Sequence, residues 1–384
     1  MSIKKEKMLA LLLFLIFSPI IGFKIAITIK FWMLTCFFLI LIKFKTIRLR
    51  YGPIYYIPTF FAVFAFFSLL MNLDGVNSSS LFFSFIPIVL FILCLTLEQF
   101  DFHDLEKAFR YFVKSYLILS FVYGAMGLYY TSSNVIENNH VYFGIFIQHL
   151  RPRFSGLVGD PNICAFYFSI IFCVAYSLRC NYRLLIVILL FILLTGSRTA
   201  LAFVPIAVLF LYIRYPKYQT ILLFGFPLII YQFINIRSSK FTLSSALRIG
   251  EDIDLSRVGG RMNLWKPVFT HVTDHPFSLS GFGSGRSFSE NVIGTPTYFH
   301  NSYLEIAYEL GLPSLFIYIF IVVFILLSSK LRLGEKTIFF LAISIFALSL
   351  SIHLNEVLIF AFIFVIKFSN DIRRHEFCQE IRDS

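Results

Sequence analysis

The sequence predicts an all-α, polytopic integral membrane protein of about twelve transmembrane helices, each needing roughly 20 residues if it lies straight. Three observations carry that expectation. The 384 residues are 58% hydrophobic, 19% aromatic and only 14% charged, a composition that no water-soluble globule of this length shows. Apolar runs recur from end to end, and a helix is a spanning element that satisfies its own backbone polar groups. Lysine and arginine gather in alternate short connections, which fixes an orientation.

In order, the apolar runs are 8–23, 25–42, 54–71, 81–97, 111–130, 161–178, 183–195, 199–213, 218–234, 311–327, 337–352 and 354–366. Several are short, and the divisions around Lys24, Ser197 and His353 interrupt nearly continuous apolar sequence. Segments of this length can tilt, re-enter or lie protected inside a bundle. The basic groups Lys4, Lys5 and Lys7, then Lys43, Lys45, Arg48 and Arg50, then Arg179 with Arg183, Arg214 with Lys217, Lys330 to Lys336, and Arg373 with Arg374 all fall on one side. The positive-inside bias makes that side the cytoplasm and puts both termini there. Residues 1–384 read as a single transmembrane domain with two longer outward connections, 131–160 and a large loop, 235–300, before the tenth span. The N-terminal basic patch and apolar run read as an uncleaved signal anchor, because no small-residue cleavage pattern follows Ser18, Pro19 and Ile20.

The net charge of +12 follows from this topology and needs no nucleic-acid partner. Six cysteines, Cys36, Cys94, Cys164, Cys173, Cys180 and Cys378, lie mostly in or beside spans without metal spacing, so neither a disulfide framework nor a zinc site is indicated. There is no Walker loop, no dinucleotide fingerprint and no outer carboxylate cluster with metal spacing. No cofactor or metal is therefore expected, and the substrate arrives already activated.

The most informative stretch is Tyr298, Phe299, His300, Asn301, Ser302, Tyr303, Leu304, Glu305, ahead of the tenth span. Ser302 and Glu305 read as a capping box that starts a helix with His300 just outside it. The free amides and positive pole of such a helix end favour an anion, and an imidazole beside it suits chemistry on a phosphorylated substrate. The bland alternative is an interfacial histidine beside an ordinary cap.

Upstream, the large loop holds Gly259, Gly260, Arg261, Met262, Asn263, Leu264, Trp265, read as a short helix opened by glycines. Arg261 and Trp265 are four apart and share a face. Trp265 is either an interfacial anchor or a stacking platform for a sugar ring. Gly281, Phe282, Gly283, Ser284, Gly285, Arg286 form a glycine-rich turn whose amides could approach an anion, although such clusters mark ordinary turns more often.

The first outer loop ends in Arg151, Pro152, Arg153, Phe154 and, after Ser155 to Gly159, Asp160, Pro161, Asn162. Asp160 caps the next span and Pro161 opens it, which holds Arg153 near the outer face. There it could equally meet lipid headgroups. Arg198, in Thr195, Gly196, Ser197, Arg198, Thr199, stands between two apolar runs with almost no loop around it. An ionisable group in that position is costly and faces a polar cavity or a partner.

These motifs, in this order and on one side, resemble the O-antigen polymerase and O-antigen ligase superfamily of bacterial envelope glycan assembly. The resemblance runs through Arg153 to Asn162, Gly196 to Thr199, Arg261 to Trp265, Gly281 to Gly285 and His300 to Gly311. It implies a GT-C-like, metal-independent glycosyltransferase of the inner membrane acting at its periplasmic face. The implied donor is an oligosaccharide linked to undecaprenol through pyrophosphate, and membrane lipids and a chain-length regulator protein are implied partners. Arg153, Arg198, Arg261 and Arg286 would bind the pyrophosphate, and Asn301 and Trp265 the substrate. His300, with Arg261, would be catalytic, His300 either accepting the acceptor's proton or binding the leaving phosphate.

A polymerase extends a chain onto another lipid-linked repeat, whereas a ligase moves it to lipid A core. The heavy loading with Phe, Ile, Lys, Tyr and Asn, including 50 Phe and 20 Tyr, suggests an AT-rich gene of the kind common in O-antigen clusters. That composition favours the polymerase. A flippase or other transporter would show paired repeats and midplane charges, and neither is evident here.

Overall fold

A computed structural model describes residues 5–18, 22–24, 28–30, 91–97, 102–134, 137–148, 151–216, 255–281, 283–294, 297–328 and 331–348, with isolated positions between 35 and 100. The expected spans 25–42, 54–71, 218–234 and 354–366 lie largely or wholly outside the described residues. Helix dominates, as the composition requires. Its elements are α1 (Lys5–Ile16), α2 (Phe102–Ser133), α3 (Pro161–Ser177), α4 (Tyr182–Leu194), α5 (Arg198–Arg214), α6 (Leu255–Asp274), α7 (Ser284–Ile293), α8 (Ser302–Leu310), α9 (Leu312–Ser328) and α10 (Leu333–Ala347).

Two small antiparallel sheets depart from the all-α expectation. In the first, β1 (Gly22–Lys24) pairs with β2 (Thr28–Lys30), where continuous helix was expected over 8–23 and 25–42. The second fills the connection 131–160, with β3 (His140–Tyr142), β4 (Ile145–Gln148) and β5 (Arg151–Phe154) in sequential order. Phe143 has φ 50°, in the left-handed region, and the two-residue turn it forms with Gly144 reverses β3 into β4. Val141, Tyr142, Ile145, Phe146 and Ile147 give this segment the β-branched and aromatic content of strands.

The chain divides into two compact units, 1–21, 106–252 and 332–346 in the first, and 22–105, 253–331 and 347–384 in the second. In the first, α3 is the central element and almost every residue of it is buried. Its rings meet neighbours on several sides: Tyr167 meets Phe17 after α1 at 5.1 Å, Phe168 meets Tyr116 of α2 at 5.4 Å and Phe191 of α4 at 5.1 Å, and Phe166 meets Phe346 of α10 at 5.4 Å. Offset and edge-on aromatic pairs of this kind contribute about 0.5–1.5 kcal/mol beyond their buried area. Several of the described phenylalanines thus fill one core.

Asp160 caps α3 as expected, its carboxylate accepting from the amides of Asn162 at 2.7 Å and Ile163 at 3.0 Å with Pro161 next in line. At its other end, Arg214 of α5 donates to the Tyr176 carbonyl, lies over the Tyr176 ring at 4.2 Å and faces Glu335 of α10 at 3.9 Å. Burial pushes the Glu335 carboxyl above the ordinary carboxylate range, while its bond from the Arg332 amide and the charge of Arg214 oppose that shift.

Helix α2 starts well before the expected residue 111, and Arg110 pairs with Glu106 one turn back at 2.8 Å. Within it, 103–133 is the one described stretch long and apolar enough to cross a membrane; shorter apolar helices cover Pro161–Ser177, Tyr182–Leu194 and Leu312–Phe324. One stripe of α2, including Phe109, Phe112 and Tyr116, is buried, while Phe121 (65%) and Tyr129 (77%) stand exposed. Helix α9 shows the same pattern, with Phe320 67% exposed and Tyr318 buried.

The three-stranded sheet seats on α2 through glycine. A Cβ on Gly127 would stand 2.5 Å from the Tyr142 carbonyl oxygen, and one on Gly124 would stand 2.5 Å from the Phe154 ring. Gly127→Val is expected to lower stability by about 1–3 kcal/mol through overpacking against rigid backbone. The check is the apparent melting temperature of the purified protein, and an unchanged value would remove this contact from the account.

Candidate functional site

The first unit brings Arg153 to the turn that presents Arg198. Arg153 sits on β5 opposite Phe146 of β4, on the sheet face it shares with Gln148, and is only 5% exposed. Its guanidinium donates to the Thr195 carbonyl at 3.1 Å, the Gln148 side-chain oxygen at 2.9 Å and the Asn162 side-chain oxygen at 3.2 Å. A planar fork can serve these three acceptors at once, which an ammonium on a flexible stem cannot do with the same geometry. Arg153 therefore ties β4, the start of α3 and the end of α4 together.

Arg198 is different. It is the first residue of α5 and is exposed, with no ion pair among the described residues. Ser197 holds the N-cap position but makes no capping hydrogen bond with its side chain, and its buried hydroxyl has no partner among the described residues. A cation in the first helical turn faces the positive pole of the helix, an unfavourable placement worth about 0.3–1 kcal/mol. An anion bound there would meet uncapped amides and the guanidinium together.

The second unit builds the surroundings of His300. Asn301, not Ser302, is the N-cap of α8: its side-chain oxygen accepts from the amides of Tyr303 at 3.1 Å and Leu304 at 3.2 Å. Glu305 is 1% exposed and reaches further back than a capping box would, accepting from the Phe299 amide at 3.2 Å. Trp265 donates its indole N–H to the Phe299 carbonyl at 2.7 Å. Both polar groups of Phe299 are thus held, its ring is fully buried, and His300 follows with φ 52°, in the left-handed region. That conformation costs an L-residue about 1–2 kcal/mol, and the bonds to Phe299 and Asn301 impose it. His300 remains half-buried.

The glycine-rich turn is anchored by α8 as well. Glu309, 2% exposed, accepts from the Gly285 amide at 3.1 Å through its carboxylate, and its carbonyl accepts from Gly281 at 3.0 Å. The anion held by the turn at Gly285 is internal, the expected role of that amide being taken by Glu309. Positive φ at Gly281 (91°) and Gly283 (80°) makes the turn, and a Cβ at Gly285 would crowd Glu309 and Phe299 at 3.1 Å. Arg286 in the first turn of α7 is exposed and hydrogen-bonds the Tyr298 hydroxyl. Burial raises the Tyr298 phenol and Arg286 opposes it.

Helix α6 corrects the expected short helix opened by glycines, since it begins at Leu255 and runs through Gly259 and Gly260 to Asp274. Arg261 lies on it one turn before Trp265. Leu264, Val268 and Val272 of α6 pack with Phe299, Ala307 and Tyr308 in one cluster, so the helix carrying Arg261 and the loop carrying His300 share a core. Glu305 is a bracing residue as the capping-box reading expects, but its partner is the Phe299 amide; the structural roles of Glu309 and Gln148 have no counterpart in the sequence reading, although two glutamates four apart on an otherwise apolar helix are a signal for Glu309.

These features define a mainly helical protein with an exposed helix-terminal cation in one unit and a histidine on a braced loop in the other. Residues 184–319 match the family model described as O-antigen ligase, consistent with the O-antigen polymerase and ligase superfamily that the motifs resemble. Less than half of the chain is covered; the matched part contains Arg198, Arg261, Trp265, Arg286, His300 and Asn301 but not Arg153. The match supports a glycosyltransferase-type enzyme of O-antigen and lipopolysaccharide biosynthesis, a polymerase or a ligase, from a family of membrane proteins. No curated protein matches the sequence.

Asn301→Ala is expected to cost about 1 kcal/mol of stability through loss of the cap. Trp265→Phe keeps a ring and removes the donor, which should cost about 1–3 kcal/mol by leaving the Phe299 carbonyl unpaired. Thermal unfolding of the purified variants checks both, and wild-type melting in the pair would show that the brace around His300 contributes nothing to stability.

Proposed function

We propose that this protein is an O-antigen polymerase of the bacterial inner membrane, joining undecaprenyl-pyrophosphate-linked repeat units at the periplasmic face. The single observation that carries the reading is Arg198: an exposed guanidinium on an uncapped helix N-terminus, in the segment matching the O-antigen ligase family model. Such a site suits the pyrophosphate of a lipid-linked donor. The apolar residues exposed on α2 and α9 suit contact with lipid, because patches of this kind on soluble monomers are rare.

In the reaction, an acceptor hydroxyl oxygen attacks the anomeric carbon of the donor. The bond from that carbon to the pyrophosphate oxygen breaks, and undecaprenyl pyrophosphate leaves with the electron pair. Arg198 meets the growing negative charge, with Arg261 and Arg286 as further cations toward the donor. Arg153 acts through the turn it braces and so positions Arg198. His300 either takes the proton released by the acceptor hydroxyl or binds the leaving phosphate. Trp265 and Asn301 serve the substrate by fixing the loop that bears His300. No resident metal or cofactor has a role in this scheme, and a chain-length regulator is a proposed partner.

The description of the matched family model favours a second reading, a ligase that moves the polymer to lipid A core. Donor chemistry is common to the two and only the acceptor differs. Deleting the gene and separating the lipopolysaccharide by size distinguishes them: core bearing a single repeat identifies the polymerase, whereas bare core with lipid-linked polymer identifies the ligase. In the complemented strain, His300→Ala and Arg198→Ala are each expected to reduce polymer by about a hundredfold or more at normal protein levels. Arg198→Lys should restore part of it by returning charge without the bidentate fork. Full ladders from both alanine variants would overturn these roles.

A further inference from the structure

A groove of about 520 Å³ runs between α6 and α7 in the second unit. Its volume falls within the roughly 300–1,000 Å³ of small-molecule sites. Lys266, Thr270 and Asp274 line it from α6, and Phe288 and Val292 from α7. The first three are spaced four residues apart, so their polar groups recur about every 6 Å along one helix edge. The two α7 residues are also four apart and present apolar surface.

That division into a polar edge and an apolar face is the chemistry of a sugar ring, which carries hydroxyls around its rim and C–H groups on its faces. The repeat along the polar edge is comparable to the length of one pyranose residue. Among the described residues, neither Lys266 nor Asp274 is engaged in an ion pair, and both remain available to hydroxyls. His271 also lines the groove, and its Nε2 is buried without a partner among the described residues. Burial, then the charge of His275, lowers the His271 pKa, while Asp274 opposes them. A neutral imidazole offers one donor and one acceptor, as a hydroxyl partner requires.

Other ligands fit less well. One lysine balanced by one aspartate does not make an anion site, and the described residues contain no group of three side chains able to hold a metal ion. Thr270 already donates its hydroxyl to the Lys266 carbonyl at 3.1 Å, but a lipid chain would cover the charged ends of Asp274 and Lys266 without offering either a partner.

We propose that the α6–α7 groove binds saccharide, holding repeat-unit sugars of the glycan chain beside the loop that carries His300. This rests on the glycosyl-transfer reading and adds to it a site for the sugars remote from the reacting carbon. The groove adjoins that loop through a continuous aromatic layer: the His271 ring lies 5.0 Å from Tyr308, and Tyr308 lies 5.4 Å from Phe299, the residue before His300. Sugars in the groove would stabilise extension of longer chains without touching the bond that forms.

The test uses full-length protein in lipid nanodiscs and soluble oligosaccharides of one, two and three repeat units, prepared from the host's own glycan and size-fractionated. Wild type should bind more tightly as repeats are added. Asp274→Asn should weaken binding by about tenfold, the equivalent of one charge-assisted hydrogen bond. Thr270→Trp, an exposed position, should block the groove sterically without disturbing the core, and Glu290→Trp on the opposite face of α7 should bind as wild type does. In cells, Thr270→Trp should shift the glycan ladder to shorter chains while still forming the first repeat-to-repeat product. Absence of binding by wild type, or equal binding by all variants, overturns the groove. Failure of the glycosyl-transfer reading shows differently, as a gene deletion that leaves the lipopolysaccharide ladder and the lipid-linked pool unchanged.

Discussion

A buried polar or charged group must find its partner inside the protein, and in both units this requirement determines which segments meet. Arg153 in the first unit and Glu305 and Glu309 in the second are at most 5% exposed. Each is satisfied largely by backbone or side-chain groups from another element. Leaving any of them unpaired would cost several kcal/mol, so the arrangement is held far more firmly than loop sequence alone would hold it. The turn before α5 and the loop before α8 inherit their geometry from these bonds.

The same requirement separates the arginines by task. Arg153 uses its fork inward, on the Thr195 carbonyl, Gln148 and Asn162. Arg198, a few residues beyond that carbonyl, turns its charge outward at a helix end that has no side-chain cap. One cation supplies rigidity and the next supplies field. Around His300 the division is similar, since Trp265, Glu305 and Asn301 engage backbone on either side and hold the imidazole-bearing residue in the left-handed region. Precise placement of a reacting group depends on such supporting contacts more than on the group itself.

Packing follows a complementary logic. Among the described residues, aromatic rings from α2, α4 and α10 surround α3, one nearly fully buried helix, while α2 and α9 also expose large apolar side chains. Glycines at 124, 127 and 144 let the β3–β5 sheet lie directly on α2. A sheet in that connection shortens the effective loop and delivers Arg153 to α4 at a fixed register.

Composition and apolar periodicity were enough to determine a mainly helical chain, because helical spans advertise themselves by length and hydropathy. The cap at Asp160, the start of α3 at Pro161 and the position of Arg198 between two helices were also legible, since each depends on a few adjacent residues. The five strands among the described residues were not, because runs of three or four residues are too short for alternation to show as a period. Asn301 and Ser302 are both competent caps, and the cap of α8 falls to Asn301, two residues after the Phe299 backbone that Trp265 and Glu305 hold. The sequence by itself determined which residue types the site contains. Only the tertiary structure decided that Arg153 and Glu309 face inward and Arg198 outward, because burial is set by distant segments that local pattern does not encode.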